Sequence, residues 1–151
     1  MKALIQRVQR GSVSVDSQTI GSIARGYVVF LGVKQGDTTK DAKFLAEKTA
    51  ALRIFPDEAD RMNCSITEID GAVLVISQFT LHADTRKGNR PSFILAASAP
   101  EAKSLYDEYV AGLRRIIGVA RVATGQFQAR MVVEIINDGP VTIELKSHSE
   151  P

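Results

Sequence analysis

The chain has 151 residues and a formal net charge of +2, which suits a single domain that buries roughly two thirds of its unfolded surface. Its only cysteine, Cys64, excludes an internal disulfide and the spacings of a zinc site, so a reducing, cytoplasmic location is expected. The longest apolar stretch, Tyr27–Val33, is too short to span a bilayer, and no membrane association is expected.

The first third of the chain predicts a meander of short strands. Apolar and polar residues alternate from Ala3 to Val8, which is typical of a half-buried strand. The pairs Asp16-Ser17 and Arg25-Gly26 are expected to form turns. Further strands are predicted at residues 12–15, 18–24 and 27–33.

A helix is predicted after this meander, over residues 39–53. Thr38 followed by Asp41 resembles a capping box, and apolar residues then recur at helical spacing. Pro56 is expected to end the segment, and residues 57–63 are expected to form an exposed loop.

The most informative stretch is an apolar run at residues 72–76 that continues directly into Ser77-Gln78-Phe79-Thr80-Leu81. Five consecutive apolar residues predict a strand that is buried on both faces. The Asp70-Gly71 pair before it favours a hairpin with a partner strand at residues 65–69. Polar groups at the end of a rigid, buried strand are typical of a reactive centre.

A second helix is predicted from Ser98 and Glu101, which form another potential capping box with Pro100 in the first turn. One apolar stripe then extends over residues 102–117, and Gly118 is a suitable C-cap.

The carboxy-terminal part returns to strands around an unusual Gly139-Pro140 pair. Because Pro140 removes a backbone donor and fixes its own φ, a simple Asp-Gly hairpin is disfavoured. A cis bond costs little before proline, although a trans proline in a plain loop is the alternative. Strands are predicted at residues 131–137 and 141–145, with one domain over 1–145 and a frayed tail at 146–151.

These elements together predict an α/β fold. Two main helices among many short strands favour a mixed, barrel-like β-sheet with the helices packed on it. Such a fold does not name a function by itself, so the function must be argued from the site.

Conventional catalytic machinery is poorly represented. Strand alternation points Ser77 and His82 to opposite faces, and Thr80 beside His82 lacks the nucleophile elbow of a serine hydrolase. His82 is therefore expected to be a surface residue. Cys64 has no nearby histidine in sequence, and the acidic residues at 57–60 lack the pattern of a calcium loop. No metal or cofactor is expected, which leaves backbone dipoles, hydroxyls or the substrate itself to carry any chemistry.

Two basic groups are candidate phosphate contacts, because arginine offers a planar fork of donors to anionic oxygens. A solvated surface is an equally good explanation of them. The low net charge argues against a dedicated nucleic-acid binder, and no DNA partner is expected. The first group is Arg86, Lys87 and Arg90, and the second is Arg114, Arg115 and Arg121.

Two motifs, Ser77-Gln78-Phe79-Thr80-Leu81 and Asn137-Asp138-Gly139-Pro140-Val141-Thr142, together closely resemble those of the D-aminoacyl-tRNA deacylases, once called D-tyrosyl-tRNA deacylases. The similarity covers nearly the whole chain and includes stretches at residues 5–8, 88–93 and 124–127. Because two separate motifs occur in the expected order and distance, the resemblance is highly specific.

The resemblance implies hydrolysis of the ester that joins a D-amino acid, or glycine, to the terminal adenosine of tRNA. It also implies a homodimer in which a cis Gly139-Pro140 pair reaches into the active site of the other subunit and excludes L-amino acids. The remaining expectations concern single residues: Arg7 and Thr142 support this motif, Phe127 and Met131 form the pocket wall, and Arg86, Lys87 and Arg90 contact tRNA.

The segment from Ser77 to Thr80 is the candidate catalytic segment. The backbone N–H groups of Phe79 and Thr80 can bind an oxyanion without any ionisable side chain, and the family resemblance implies assistance from the 2′-hydroxyl of the substrate ribose. The alternative makes the Thr80 hydroxyl a nucleophile, although no residue near it in sequence is suited to activate it.

Some features depart from the family or fit other functions. Gln128 and Arg130 stand where the family more often has glycine and an acid, which affects the expected pocket rim. A non-catalytic module that binds the tRNA end is the main alternative function. A structural protein that uses the Gly139-Pro140 loop as a dimer clasp is another.

Overall fold

The structure, a computed structural model, describes residues 1–147. Three antiparallel strands start the sheet: β1 (Lys2–Val15), β2 (Gln18–Ile23) and β3 (Gly26–Gly32). β2 and β3 pair one after the other with β1, which keeps β1 extended throughout. Residues 3–8 and 12–15 are extended, as predicted, but the prediction that they form separate strands is wrong. They belong to a single strand of 14 residues.

Both predicted helices are confirmed. They are α1 (Thr39–Ala51) and α2 (Ala99–Ile117), and each starts at its predicted capping box. α1 ends slightly earlier than predicted, with its C-cap at Leu52. Gly118 closes α2 with a φ of 98°, a left-handed conformation that glycine adopts without steric cost.

A small second sheet follows α1. It consists of β4 (Phe55–Pro56) and β5 (Met62–Cys64). The loop predicted at 57–63 is exposed from residue 58 onwards, but its last two residues belong to β5. Pairing with Phe55 explains this difference, because Phe55 is fully buried and fixes the position of Cys64 opposite it.

The predicted hairpin at Asp70-Gly71 is wrong. β6 (Ala72–Ser77) lies parallel to β3 on one side and parallel to β7 (Val122–Thr124) on the other. Residues 66–70 form a turn instead of a strand, because Ile66 is fully buried and its carbonyl accepts a hydrogen bond from the Gly71 amide at 2.9 Å. β6 is nevertheless buried on both faces, as its apolar run predicts.

The last strand, β8 (Val132–Lys146), runs antiparallel to β1 along most of its length. The two strands predicted around Gly139-Pro140 are therefore one strand with an interruption. Val8 pairs with Asn137 and Gln6 with Thr142, so residues 138–141 bulge out of the ladder opposite Arg7. Of the predicted tail, residue 146 lies in β8, Ser147 is buried, and residues 148–151 lie outside the described residues.

The sheet is barrel-like, as the sequence predicts. β2 curls back towards β7, where a Cβ atom on Gly21 would lie only 2.9 Å from the carbonyl oxygen of Thr124. Alternate residues of β6 therefore face two cores: Leu74 faces the barrel interior, and Val73 faces the helices. No helix within residues 1–147 is long and apolar enough to cross a membrane.

Candidate active site

The chain changes conformation at the end of β6, where the sequence becomes polar. The Gln78 amide donates to the Leu31 carbonyl at 2.8 Å, which is the last step of the β3–β6 ladder. Residues Phe79–His82 then form a 3₁₀ turn. The strand alternation expected over residues 77–82 therefore fails after Ser77, since the chain leaves the sheet there.

The 3₁₀ turn buries His82, with only 4% of its surface exposed. The expectation of a surface histidine is wrong. Gly32 explains the burial, because even a Cβ atom at that position would lie 3.1 Å from Cδ2 of His82. The imidazole therefore packs against the backbone of β3 at Gly32, which has no side chain.

A cleft of about 640 Å³ lies beside the end of β6. Ser77, Gln78 and Phe79 line it together with Phe127 and Met131. With Gln128 in the same lining, the structure brings together six of the residues that the sequence singles out. Thr80 is not among the lining residues; its hydroxyl oxygen accepts a hydrogen bond from the Gln78 side-chain amide.

Small residues leave room for this cleft. Ala96, Ala97, Ala99 and Ala102, at and before the start of α2, all line it. Sequence reasoning did not assign them to the site. The available signal is the alanine-rich run directly before a capping box, because small side chains at a helix start leave space between the helix and the sheet.

Tyr106 supports the position of Phe127 in the cleft wall. The Phe127 ring lies 6.0 Å from the Tyr106 ring, and the Tyr106 hydroxyl donates to the Val75 carbonyl at 2.7 Å. Burial raises the pKa of Tyr106, so this hydroxyl remains a donor at neutral pH. Gly125 makes space for Met131, whose Sδ would lie 2.6 Å from a Cβ atom at that position.

An aromatic pair marks the mouth of the cleft. The rings of Phe79 and Phe93 meet edge to face at 5.0 Å, and Phe79 is 53% exposed. Like the four alanines, Phe93 is a lining residue that sequence reasoning did not assign to the site. A half-exposed phenylalanine pair is a suitable surface for a planar, unsaturated ligand.

The chemical character of the cleft follows from its lining. Within residues 1–147, the lining contains polar side chains only at Ser77, Gln78 and Gln128, and none of these is charged. The amides of Phe79 and Thr80 open the 3₁₀ turn, where the first N–H groups have no acceptor within the turn itself. The site is therefore suited to bind developing negative charge through backbone donors.

The first basic group lies on a loop next to the cleft mouth. Reciprocal backbone hydrogen bonds between Asp84 and Ser92, at 2.8 and 2.9 Å, close this loop one residue before Phe93. Arg86 forms a bidentate ion pair with Asp84. Its guanidinium lowers the pKa of that carboxyl to about 2. Lys87 and Arg90 are exposed.

The second basic group is partly neutralised by neighbouring acids. Arg115 lies 3.5 Å from Glu108, and Arg121 lies 2.9 Å from Asp70. These ion pairs favour the interpretation as a solvated surface for this group.

The Gly139-Pro140 peptide bond is cis, and the bulge that contains it is fastened to Arg7. The buried guanidinium donates to the Asp138 carbonyl at 3.2 Å and to the Ile54 carbonyl at 2.7 Å. It also lies 3.3 Å from the Asp138 carboxylate. The two residues that flank the bulge are also joined, because the Asn137 side-chain amide donates to the Thr142 hydroxyl at 3.5 Å.

This bulge is far from the cleft of its own chain. Arg7 pairs with Tyr27, whereas Ser77 pairs with Leu31, four residues further along β3. At roughly 3.3 Å per residue, these two positions on β3, one beside the bulge and one beside the cleft, are about 13 Å apart along the strand. One chain therefore does not bring Gly139-Pro140 to its own cleft.

Comparison with known proteins connects these features to one family. The model of a family described as D-Tyr-tRNA(Tyr) deacylase matches residues 4–146. A D-aminoacyl-tRNA deacylase of Heliobacterium modesticaldum is 57% identical over 95% of this chain and 94% of the relative. A protein of the same name from Geobacter sulfurreducens is 53% identical over 99% and 97% of the two chains.

Solved structures agree on the fold. A structure described as c-Myc DNA Unwinding Element Binding Protein superimposes with a TM-score of 0.93 at 40% identity, covering 97% of this chain and 99% of the other. A probable eukaryotic D-amino acid tRNA deacylase superimposes with a TM-score of 0.83 at 17% identity, covering 95% and 97%. The second likeness supports the fold alone, and it agrees with the barrel-like sheet carrying two main helices.

Proposed function

The chain belongs to the D-Tyr-tRNA(Tyr) deacylase family, as its two motifs indicate, and on this basis we propose that it hydrolyses the ester bond of D-aminoacyl-tRNA. The products are free D-amino acid and tRNA. The observation that carries the proposal is the polar end of the buried strand β6, where Ser77, Gln78 and Phe79 line a cleft with Phe127 and Met131. The substrate enters as the unpaired aminoacyl end of the tRNA.

Catalysis is proposed to depend on backbone donors rather than on side chains. The Phe79 and Thr80 amides bind the oxyanion that forms when water attacks the ester carbonyl. The 2′-hydroxyl of the terminal ribose assists proton transfer, because no titratable side chain of the described residues lines the cleft. Thr80 would contribute its amide, while its hydroxyl oxygen accepts a hydrogen bond from the Gln78 side chain.

One variant distinguishes the backbone mechanism from the alternative, in which the Thr80 hydroxyl attacks the ester. Thr80→Val keeps the amide and the side-chain shape, and we expect its single-turnover rate on D-aminoacyl-tRNA to stay within about threefold of wild type. A loss of turnover with unchanged tRNA binding would reject the backbone mechanism. Gln78→Ala is the matched control, because it removes the partner of the same hydroxyl and leaves Thr80 intact.

Chiral selection is proposed to need a second subunit. The Gly139-Pro140 bulge lies about 13 Å along β3 from its own cleft, so a homodimer in which each bulge enters the partner's cleft would complete both sites. Its main-chain carbonyls would exclude an L side chain while admitting a D side chain or the hydrogen of glycine. Arg7 and Thr142 would support the motif from within their own chain.

Recognition of the tRNA is proposed to use the loop closed by Asp84 and Ser92. Its cationic residues Arg86, Lys87 and Arg90 lie next to the aromatic mouth of the cleft in the chain, where the phosphates that precede the terminal nucleotide would pass. Each phosphate contact adds to the salt dependence of binding. Weaker tRNA binding at raised salt, with a slope reduced in Lys87→Ala, would support this role.

One assay tests the reaction itself. Purified protein is incubated with tRNA charged with D-tyrosine, L-tyrosine or glycine, and the surviving ester is measured over time. We expect loss of the D-tyrosyl and glycyl esters and survival of the L-tyrosyl ester. Binding of all three without hydrolysis would indicate a tRNA-end binding module, and absence of any interaction would favour a structural role.

A further inference from the structure

Gln128 adopts a left-handed backbone conformation at the rim of the cleft. Its φ is 62°, and it occupies the third position of a tight turn in which the Ala129 amide donates to the Gln126 carbonyl at 3.2 Å. This conformation costs a residue with a side chain about 1 kcal/mol or more, and glycine is preferred at such a turn position. A non-glycine residue retained there is a reason to look for a role of its side chain.

Among the polar side chains of the cleft that the structure describes, that of Gln128 is the exposed one, since Ser77 and Gln78 are half-buried. Of the lining residues that the structure describes, only Ser77, Gln78 and Gln128 are polar. The side-chain nitrogen of Gln78 is engaged by the Thr80 hydroxyl, whereas no residue in the described part of the chain forms a hydrogen bond with the Gln128 carboxamide. Gln128 is exposed, and its donor and acceptor are available to a ligand.

The surroundings of Gln128 indicate what kind of ligand it would contact. Phe127 precedes it in the lining, and the Phe79–Phe93 pair lies at the mouth of the same cleft. Proteins recognise unpaired bases by stacking them on aromatic faces and hydrogen-bonding their edges. A carboxamide presents a donor beside an acceptor, which matches the N7 acceptor and N6 donor of adenine.

We propose that Gln128 is a specificity-determining residue that hydrogen-bonds the edge of the terminal adenine of the tRNA. This inference rests on the proposed function, since it takes an aminoacylated 3′-adenosine as the occupant of the cleft. A neutral base edge suits a cleft whose described lining residues carry no charge. The Phe79 amide would bind the ester and the Gln128 side chain the base, and both residues line the same cleft.

The test uses two D-tyrosyl-tRNA substrates that differ in one base. One ends in adenosine and the other in purine riboside, which lacks the N6 amine. Wild type is expected to show a kcat/KM at least about fivefold lower on the purine riboside substrate. Gln128→Gly, which suits the left-handed turn, is expected to treat both substrates alike, with a raised KM and an unchanged kcat on the adenosine substrate. Gln126→Ala, in the same turn but outside the lining, is the matched control and should behave as wild type.

Three results would overturn the assignment: unchanged discrimination in Gln128→Gly, a loss confined to kcat, or a higher kcat/KM of Gln128→Glu on both substrates. The last result would place the side chain against the α-ammonium group of the amino acid. Thermal unfolding of each variant separates these effects from misfolding. A failure of wild type to hydrolyse either substrate would instead reject the proposed function.

Discussion

Arg7→Met tests whether the arginine fastens the Gly139-Pro140 bulge to the body of the domain. Methionine keeps most of the side-chain length but leaves the carbonyls of Ile54 and Asp138 without their donor, which now lies at 2.7 and 3.2 Å. Hydrogen bonds to a charged group contribute about 1.5–3 kcal/mol each. Because the buried guanidinium also loses hydration in the folded state, we expect a net loss of about 3 kcal/mol. For a domain of this size that corresponds to a Tm lower by roughly 6–12 °C.

The measurement is urea unfolding at neutral pH together with the deacylation assay on D- and L-tyrosyl-tRNA. We expect Arg7→Met to lose stability and to lose discrimination against the L ester, because the bulge is no longer held in position. Arg10→Met is the control, since Arg10 is exposed on the same strand and should change stability by less than about 0.5 kcal/mol. Equal stability of the two variants would refute the assigned role of Arg7.

Three further predictions follow from single contacts. Gly21→Ala should destabilise the domain by about 1–3 kcal/mol in urea unfolding, because the new Cβ atom meets the backbone of β7 at 2.9 Å; unchanged stability would contradict the close approach of β2 to β7. Tyr106→Phe should lower the free energy of unfolding by about 1 kcal/mol, since it removes the 2.7 Å hydrogen bond to β6; no change would mean that this bond adds nothing net. The Asp84 carboxyl should titrate by NMR at about pH 2, so its ion pair with Arg86 persists below the ordinary carboxyl pKa of 3.8 and is lost only as the pH falls through 2. In Arg86→Ala the midpoint should move up towards 3.8, and an unchanged midpoint would exclude the ion pair as the cause.

The helices and the buried strand were predictable because their signals are local. A capping box and a stripe at helical spacing require only neighbouring residues to agree, and both helices start at their predicted caps. Five apolar residues identify β6 as a buried strand irrespective of its partners. The resemblance of the two motifs to one family likewise depended on sequence alone, and the family match over residues 4–146 confirms it.

Strand partners were not predictable in the same way. Asp70-Gly71 favours a hairpin locally, but parallel pairing with β3 and β7 places β6 between the barrel interior and the helices, where both of its faces are buried, and this burial outweighs the local preference. Similarly, His82 was expected to be a surface residue, whereas the 3₁₀ turn after Ser77 packs it against Gly32. Both errors arise because pairing joins residues that are distant in sequence.

The sequence by itself thus determined the helices, the buried strand and the polar segment that follows it. Only the tertiary structure decided that Ser77, Gln78 and Phe79 share a cleft with Phe127 and Met131, and that Gly139-Pro140 is fastened to Arg7 at another level of the sheet. The physical reason is that local propensity depends on adjacent residues. The position of a cleft depends on how distant strands pair and on where small residues leave space between the sheet and a helix.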